Sequence, residues 1–584
     1  MATPLEPWSE PVERVLHGMM RQVSGAGILM CPEHSIEHTG KNAGAVVMAC
    51  ELAGLGVGDG ERLFEFAKQQ SLRIAGRLER EGESTCWTFR PGRHDPFNCS
   101  NNVIDGGACS DALGAFLESF ADRLSLAERT LLERACVLHA QTYLRYAAFD
   151  KGIPAQRAWA LTGVAQAYRQ SKHEVLRYAA LEGAREVMEL MHGDGSYPYH
   201  PLHENPGHPG ASDVSAFYQS RPTAFTMFAL QAVGEDSTGP AWAEPLRKQL
   251  RFLALLYGPK GIKLGGIEAK PWYHGAEYEV ASHPFDVFAL ARGARLFADA
   301  QLARAAVNSF RAWASHVDAE GLPQSHKPGE GRHESYQCVT FWAGHSQWMA
   351  RAIKDLLWIE REGLAGTPEI GGPAVVLFED AQLARLENDR VVAWVRGSKP
   401  VNNLNHGSRR GGGLLRVVSK LTGDELLARD ALALGDEAEW TRRVGIVSLF
   451  RGWILNREEI RFSIWKARNA MRTRGVWAAG GEPCFVLKHG LLGGASNKAS
   501  TAFACAAKLE AVPMGVRLRT RLAHRGGNPV SDSRVQREYT VDGQGLLVRE
   551  TVREGSLVPG KDYVVPLLAE DVSTQGAGLS FRLG

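Results

Sequence analysis

Residues 192–221 read HGDGSYPYHPLHENPGHPGASDVSAFYQSR, a stretch crowded with tyrosine and histidine between two helical segments. Such side chains transfer protons and lay flat faces against sugar rings. Tyr218 and Arg221 stand three apart and so share one face of a helix, with Gln219 beside them. Pro222 implies that this helix begins or bends there, which would hold Tyr218 and Arg221 near a mouth. His200 and His203 read either as cleft residues or as solvated loop histidines, and Tyr218 either as a proton-transfer group or as a buried aromatic.

Four further clusters carry similar chemistry. The first runs from Trp87 through Arg93 and His94 to Asn101, Asn102 and Asp105, where a helix is entered. Asparagine at that place is favoured as a cap, or the pair forms a cleft wall with Trp87. The second, EAKPWYHGAEYEVASHPFD, brings Tyr273 and His274 together with Trp272 and Tyr278, a density suited to stacking on pyranose faces. The third, residues 318–337, repeats the order of the opening stretch: helix end, Asp and Gly, Pro and His, then Tyr336 entering a new helix. The fourth, SKPVNNLNHGSRRGGGLLRV, sets His406 among Asn402, Asn403, Arg409 and Arg410, a polar turn or a group that reaches an acidic sugar.

The elements that must position these groups fall into two kinds. Up to about residue 360 the apolar spacing is helical in about a dozen segments, with Ser125 and Pro154 at helix starts. Paired helices with repeated loops predict an (α/α) toroid whose inner helices face a shared hollow. After Gly371-Gly372-Pro373 come short runs such as AVVLFED, RVVAWVRG and GVRLRTRLA, the pattern of an antiparallel β-sandwich. The expected fold class is therefore multidomain α and β, with a toroid over 1–365 and a sandwich over 366–584.

A balance of 67 basic against 65 acidic residues, net +2, gives no global reason to expect nucleic acid or a membrane surface. The nine cysteines are scattered without a CxxC pair, so buried thiols are expected rather than a zinc knuckle or a disulfide framework. Nucleophile-elbow, P-loop, zincin and dinucleotide signatures are lacking. No cofactor is expected; His406 and His489 leave room for a structural divalent metal in the β domain, without a complete ligand set.

A helical toroid followed by a sandwich, with Asn101, Asn102 and Asp105, then Asp194-Gly195-Ser196, then Tyr218, resembles the heparinase II/III-like superfamily of polysaccharide lyases, alginate and heparin lyases among them. That family carries an Asn-His pair where this chain has Asn101-Asn102, a DGG-like turn, a catalytic tyrosine and a histidine from the sandwich, here His406. The resemblance implies an enzyme that cleaves a uronic-acid polysaccharide by β-elimination. Asn101, Asn102 and Arg221 would neutralise the uronate carboxylate, Asp105 would orient them, and Tyr218 and His406 would move protons. Trp87, His200, His203, Tyr273, His274 and Tyr336 would contact the acidic polysaccharide or oligosaccharide. With asparagine at 102 the base duty falls to Tyr218 or His406. The resemblance implies a secreted or periplasmic protein; the sequence as given opens without a basic-then-apolar leader, which leaves the cytoplasm open.

Two other readings fit the same clusters. A toroid glycoside hydrolase needs two carboxylates across the bond, drawn from Asp105, Asp194, Glu277 and Glu334. A glycan-binding protein without catalysis would keep the aromatics and not assemble the proton-transfer groups.

Overall fold

A computed structural model describes residues 5–33, 35–87, 100–201, 214–261, 263–264, 280–330, 333, 338–366, 372–397, 412–426, 441–443, 498–500, 507–524, 529–554, 570–575 and 578–583. The helices are α1 (Glu6–Met20), α2 (Thr39–Gly54), α3 (Gly60–Gly76), α4 (Ser100–Phe120), α5 (Leu126–His139), α6 (Arg145–Asp150) and α7 (Pro154–Ser171). They continue as α8 (Glu174–Glu189), α9 (Ala216–Ala232), α10 (Ala243–Leu255), α11 (His283–Phe297), α12 (Ala300–Ala314), α13 (Val339–His345) and α14 (Gln347–Arg361).

Six of them form a closed inner ring, α2 to α4, α7, α9, α11, α14 and back to α2. Around it, α1, α3, α5, α8, α10 and α12 make the outer layer, so the helical part is an (α/α) toroid of six pairs. The sequence separates the two layers by pattern. Outer α12 buries Leu302, Ala303, Ala306, Val307 and Phe310 on one stripe. Inner α2, rich in Gly, Ala and Val, is buried over nearly all its surface. Small residues let inner helices touch: a Cβ at Gly44 would run into the carbonyl of Gly344, and one at Gly107 into that of Trp159. Residues at matching depths meet, as Gly40 with Asp105 and Asp111 with Arg351, so the inner helices run parallel with their N-termini at one end.

The sequence echo is a structural repeat. After α12, Gly321 N–H donates to Asp318 O and Asp318 N–H to Leu322 O; after α8, Gly195 donates to His192 O and His192 to Ser196 O. Gly195 and Gly321 adopt φ of 90° and 76°, open to glycine at little cost. A Cβ at Gly195 would strike the Lys248 carbonyl on α10, and one at Gly321 the Arg14 carbonyl on α1, which closes the ring. The same small hairpin follows α1 (Val23 bridging Leu29) and α10 (Tyr257 bridging Lys263).

Three local features break the regular run of straight α-helices. Residues 126–148 are not one helix: α5 passes through a π-helical turn, Ala140–Leu144, before α6. A short hairpin, β1 (Glu79–Glu81) with β2 (Ser84–Cys86), interrupts the helices. Pro222 sits inside α9 rather than at its start, because Ser215 caps the helix by accepting from Tyr218 N–H at 3.1 Å.

The C-terminal part is two stacked antiparallel sheets. β3 (Ala374–Phe378), β4 (Leu383–Glu387), β5 (Val391–Arg396) and β6 (Gly413–Ser419) form a meander. Among the described residues the second sheet joins β7 (Thr441–Arg443), β8 (Lys498–Ser500), β9 (Lys508–Val512), β10 (Gly515–His524), β11 (Pro529–Asp542), β12 (Gly545–Glu554), β13 (Glu570–Gln575) and β14 (Gly578–Leu583). The meander is covered on both faces, which explains its unbroken apolar runs. Val391, Ala393 and Val395 pack with Leu518, Tyr539 and Val548 of the second sheet, whereas Val392 and Trp394 join the helical core. Trp394 Nε1 donates to Leu255 O at 2.9 Å, Arg385 reaches the carbonyls of Leu255 and Tyr257, and Asp194 accepts from Ala381 N–H at 2.8 Å. The sandwich is thus seated on loops at the inner-helix N-terminal end.

Candidate active site

That end gathers the polar groups of the inner ring. Six helix N-termini converge there, and each contributes partial positive charge to its first turn. Lys41 enters from α2, Asn102 and Asp105 from α4, Tyr218 and Arg221 from α9, and His345 closes α13. Lys41 Nζ lies 3.3 Å from His345 Nε2, 3.9 Å over the Phe341 ring and 5.3 Å from that of Trp159. The His345 ring meets Phe285 at 4.7 Å, and the Arg221 guanidinium covers Phe285 at 4.3 Å and Phe217 at 3.5 Å. Arg221, Phe285, His345 and Lys41 therefore form one chain of contacts: two cations held on an aromatic floor. Arg221 also donates to Phe217 O at 2.6 Å, which fixes its head against its own helix.

Tyr218 stands at the rim of this floor, half-buried, in the first turn of α9. Tyr199 meets it edge-on at 4.7 Å, and His200 packs beside Tyr199 at 6.2 Å. The neighbouring Tyr197 has another task. Its hydroxyl donates to Gln249 at 3.2 Å, and burial pushes its phenol well above the ordinary range, so it does not ionise as a base.

Asn102 and Trp87 are placed differently from a sugar-facing wall. Asn102 is fully buried, its amide donating to Thr85 O at 3.0 Å and its carbonyl accepting from Trp87 N–H at 3.1 Å. These bonds tie the strand ending at Cys86 to the first turn of α4. Trp87 is 1 % exposed, donates to Ile74 O at 2.9 Å and rests against the His139 ring at 4.9 Å, so its indole belongs to the core and offers no face to a sugar. Asp105 lies buried in the space that Gly40 leaves open on α2. Asn101 begins the same turn, with its side chain outside the described residues; His203, Tyr273, His274, Tyr336 and His406 also lie outside them.

Of the carboxylates a hydrolase would need, Asp194 accepts from Ser196 N–H at 3.0 Å and Ala381 N–H at 2.8 Å and so anchors the sandwich to the loop. Glu277 and Glu334 lie outside the described residues.

Sequence reading passed over Lys41 and His345. A lysine in a buried helix rich in Gly, Ala and Val is the signal that could have found the first, because burying an amine requires a reason. His139 was also passed over: Thr85 Oγ1 lies 2.7 Å from its Nδ1, and burial pushes its imidazole down to about 3. Among the described residues no helix is long and apolar enough to cross a membrane.

No protein-family model and no curated protein sequence matches the chain. Solved structures are similar in architecture. The chondroitin AC lyase of Streptomyces coelicolor A3, solved in complex with chondroitin sulphate, is 11 % identical with TM-score 0.47, over 94 % of this chain and 67 % of the lyase. The cellobiose 2-epimerase of Spirochaeta thermophila is 12 % identical with TM-score 0.45, over 60 % of this chain and 98 % of the epimerase. A family 76 glycoside hydrolase from Bacteroides thetaiotaomicron is 11 % identical with TM-score 0.42, over 59 % and 78 %.

Proposed function

We propose that this chain is a polysaccharide lyase that cleaves a uronic-acid-containing polysaccharide by β-elimination. The observation that carries the reading is the paired cationic floor of Arg221 and Lys41, set where six helix N-termini converge, with Tyr218 at its rim. Elimination at a uronate needs that arrangement. The proton at C5 is removed, its electron pair forms the C4–C5 double bond, the C4–oxygen bond breaks, and the leaving oxygen takes a proton. Charge flows onto the carboxylate as the C5 proton departs, so fixed positive groups near it lower the barrier. Arg221 and Lys41, both buried, supply that field from within the N-terminal turns of α9 and α2 rather than by lying open at the surface. The neutralising role first given to Asn102 passes to them, since Asn102 spends its amide on the Thr85 and Trp87 backbone.

Tyr218 serves as the proton shuttle, with His406 as the second proton-transfer group. Asp105 fills the space beside Gly40 and so fits α4 against α2. Incubation with a panel of acidic polysaccharides tests the reading. Elimination yields an unsaturated uronate that absorbs near the ultraviolet edge. Saturated reducing ends carrying one added water would identify a hydrolase, and binding without any product a glycan-binding protein.

A further inference from the structure

A second constellation lies where the first and last loops of the toroid meet. The chain before α2 folds back on itself: Ser35 N–H donates to Cys31 O at 2.9 Å, and Cys31 N–H to Ile36 O at 2.9 Å. This turn places Cys31 and His38 together on the approach to the helix. Cys338, which precedes α13, comes from 300 residues further along the chain and sets its Sγ 3.5 Å from His38 Nε2. One ligand atom from each of Cys31, His38 and Cys338 lies within 4.8 Å of the other two.

We propose that Cys31, His38 and Cys338 bind one zinc ion that staples the first loop of the toroid to the last. Zinc takes thiolate sulfur at about 2.3 Å and imidazole nitrogen at about 2.0 Å in a tetrahedron, which puts a sulfur and a nitrogen roughly 3.5 Å apart along an edge. The observed separation of Cys338 and His38 matches that edge. The donor set also selects the metal: two sulfurs and an imidazole suit zinc, whereas calcium and magnesium take oxygen. The two cysteines are not joined by a disulfide, and both are buried.

Glu33 braces the pair of loops by accepting from Val339 N–H at 3.0 Å, next to Cys338. It is a positioning residue, and the fourth coordination place falls to a water or to a ligand oxygen. On coordination the two thiols pass their protons to solvent and His38 binds through a neutral nitrogen. The site is independent of the lyase reading: it explains how a ring of helices whose ends are distant in sequence is locked.

Metal content of the full-length chain purified without chelator tests this. The expected result is about one zinc per chain, lost in Cys31→Ser, His38→Gln and Cys338→Ser and retained in Cys136→Ser, whose thiol bonds to Ser110 O elsewhere in the core. A second measurement does not depend on any variant folding. Chelator-stripped wild type titrated with cobalt should develop a thiolate-to-cobalt charge-transfer band and the visible bands of tetrahedral cobalt, both removed by added zinc. A folded chain with no bound zinc and no cobalt bands would overturn the proposal, as would a Cys31–Cys338 disulfide in the isolated protein.

Discussion

Lys41 and His345 meet at 3.3 Å in the interior although 304 residues separate them in the chain. The contact exists because Gly44 and Gly344 let α2 and α13 approach until backbone touches backbone. It joins the first inner helix to α13, the short helix that leads into the last, α14, and through Phe285 it reaches Arg221 on the fourth. The ring closure that makes the toroid thus also assembles the cationic floor on which the proposed chemistry depends.

Replacing Lys41 with methionine keeps most of its length and removes its charge. On the elimination account kcat falls about 10²–10³-fold, the cost of losing one donor aimed at developing charge. Steady-state kinetics with a uronate polymer, alongside circular dichroism to confirm the fold, checks this.

Tyr218→Phe preserves the ring that packs on Tyr199 and deletes only the hydroxyl. Loss of a positioned proton-transfer group lowers the rate about 10²–10⁴-fold. A Tyr199→Phe variant, which loses a hydroxyl from the neighbouring ring, serves as comparison and should retain far more activity.

The His139 imidazole, held down to about 3 by burial, makes stability depend on pH in a definite direction. Between its unfolded value, about 6.5, and about 3, the unfolded chain binds a proton that the folded chain does not. The stability that neutral His139 contributes is present above about pH 6.5 and declines as pH falls, with a limiting slope of about 1.4 kcal/mol per pH unit. His316, lowered to about 4 mainly by burial, acts in the same sense. Denaturant midpoints from pH 7.5 to pH 4.5 should show a shallower decline in His139→Gln than in wild type.

Much of this was legible in the sequence. Alternating helical stripes gave the paired helices, and the repeated Asp-Gly loops at 194–195 and 318–321 gave the tandem unit, because the hairpin uses the same turn chemistry each time. The β-rich half was legible from its apolar runs. The floor was not, because Lys41, Arg221 and His345 become neighbours only when the ring closes and nothing in local spacing records that. Trp87 and Asn102 misled for a related reason: an aromatic or an amide at a loop end reads alike whether it faces a cleft or, as here, pins a hairpin to an inner helix.

Arg351 on α14 binds Asp111 on α4 through two hydrogen bonds, 2.7 and 2.8 Å, with both side chains buried. Breaking such a pair leaves one charge stranded, so Asp111→Asn should cost about 3–5 kcal/mol. The double variant Asp111→Leu with Arg351→Met should be markedly less destabilised than the single one. Equilibrium unfolding of the three proteins measures the difference.

Gly321→Ala forces a side chain into φ of 76° and against the Arg14 carbonyl that closes the outer layer. A loss of about 1–3 kcal/mol is expected, while Gly366→Ala, with open space around it, should be close to neutral. Thermal unfolding of both variants distinguishes a ring-closing turn from an ordinary surface loop.

Elimination stands or falls on the mass and absorbance of the product. Digestion of a uronic-acid polymer should yield oligosaccharides one water lighter than hydrolysis products, with new absorbance near the ultraviolet edge that disappears in Tyr218→Phe. Products carrying the added water, with no new absorbance, would contradict the account.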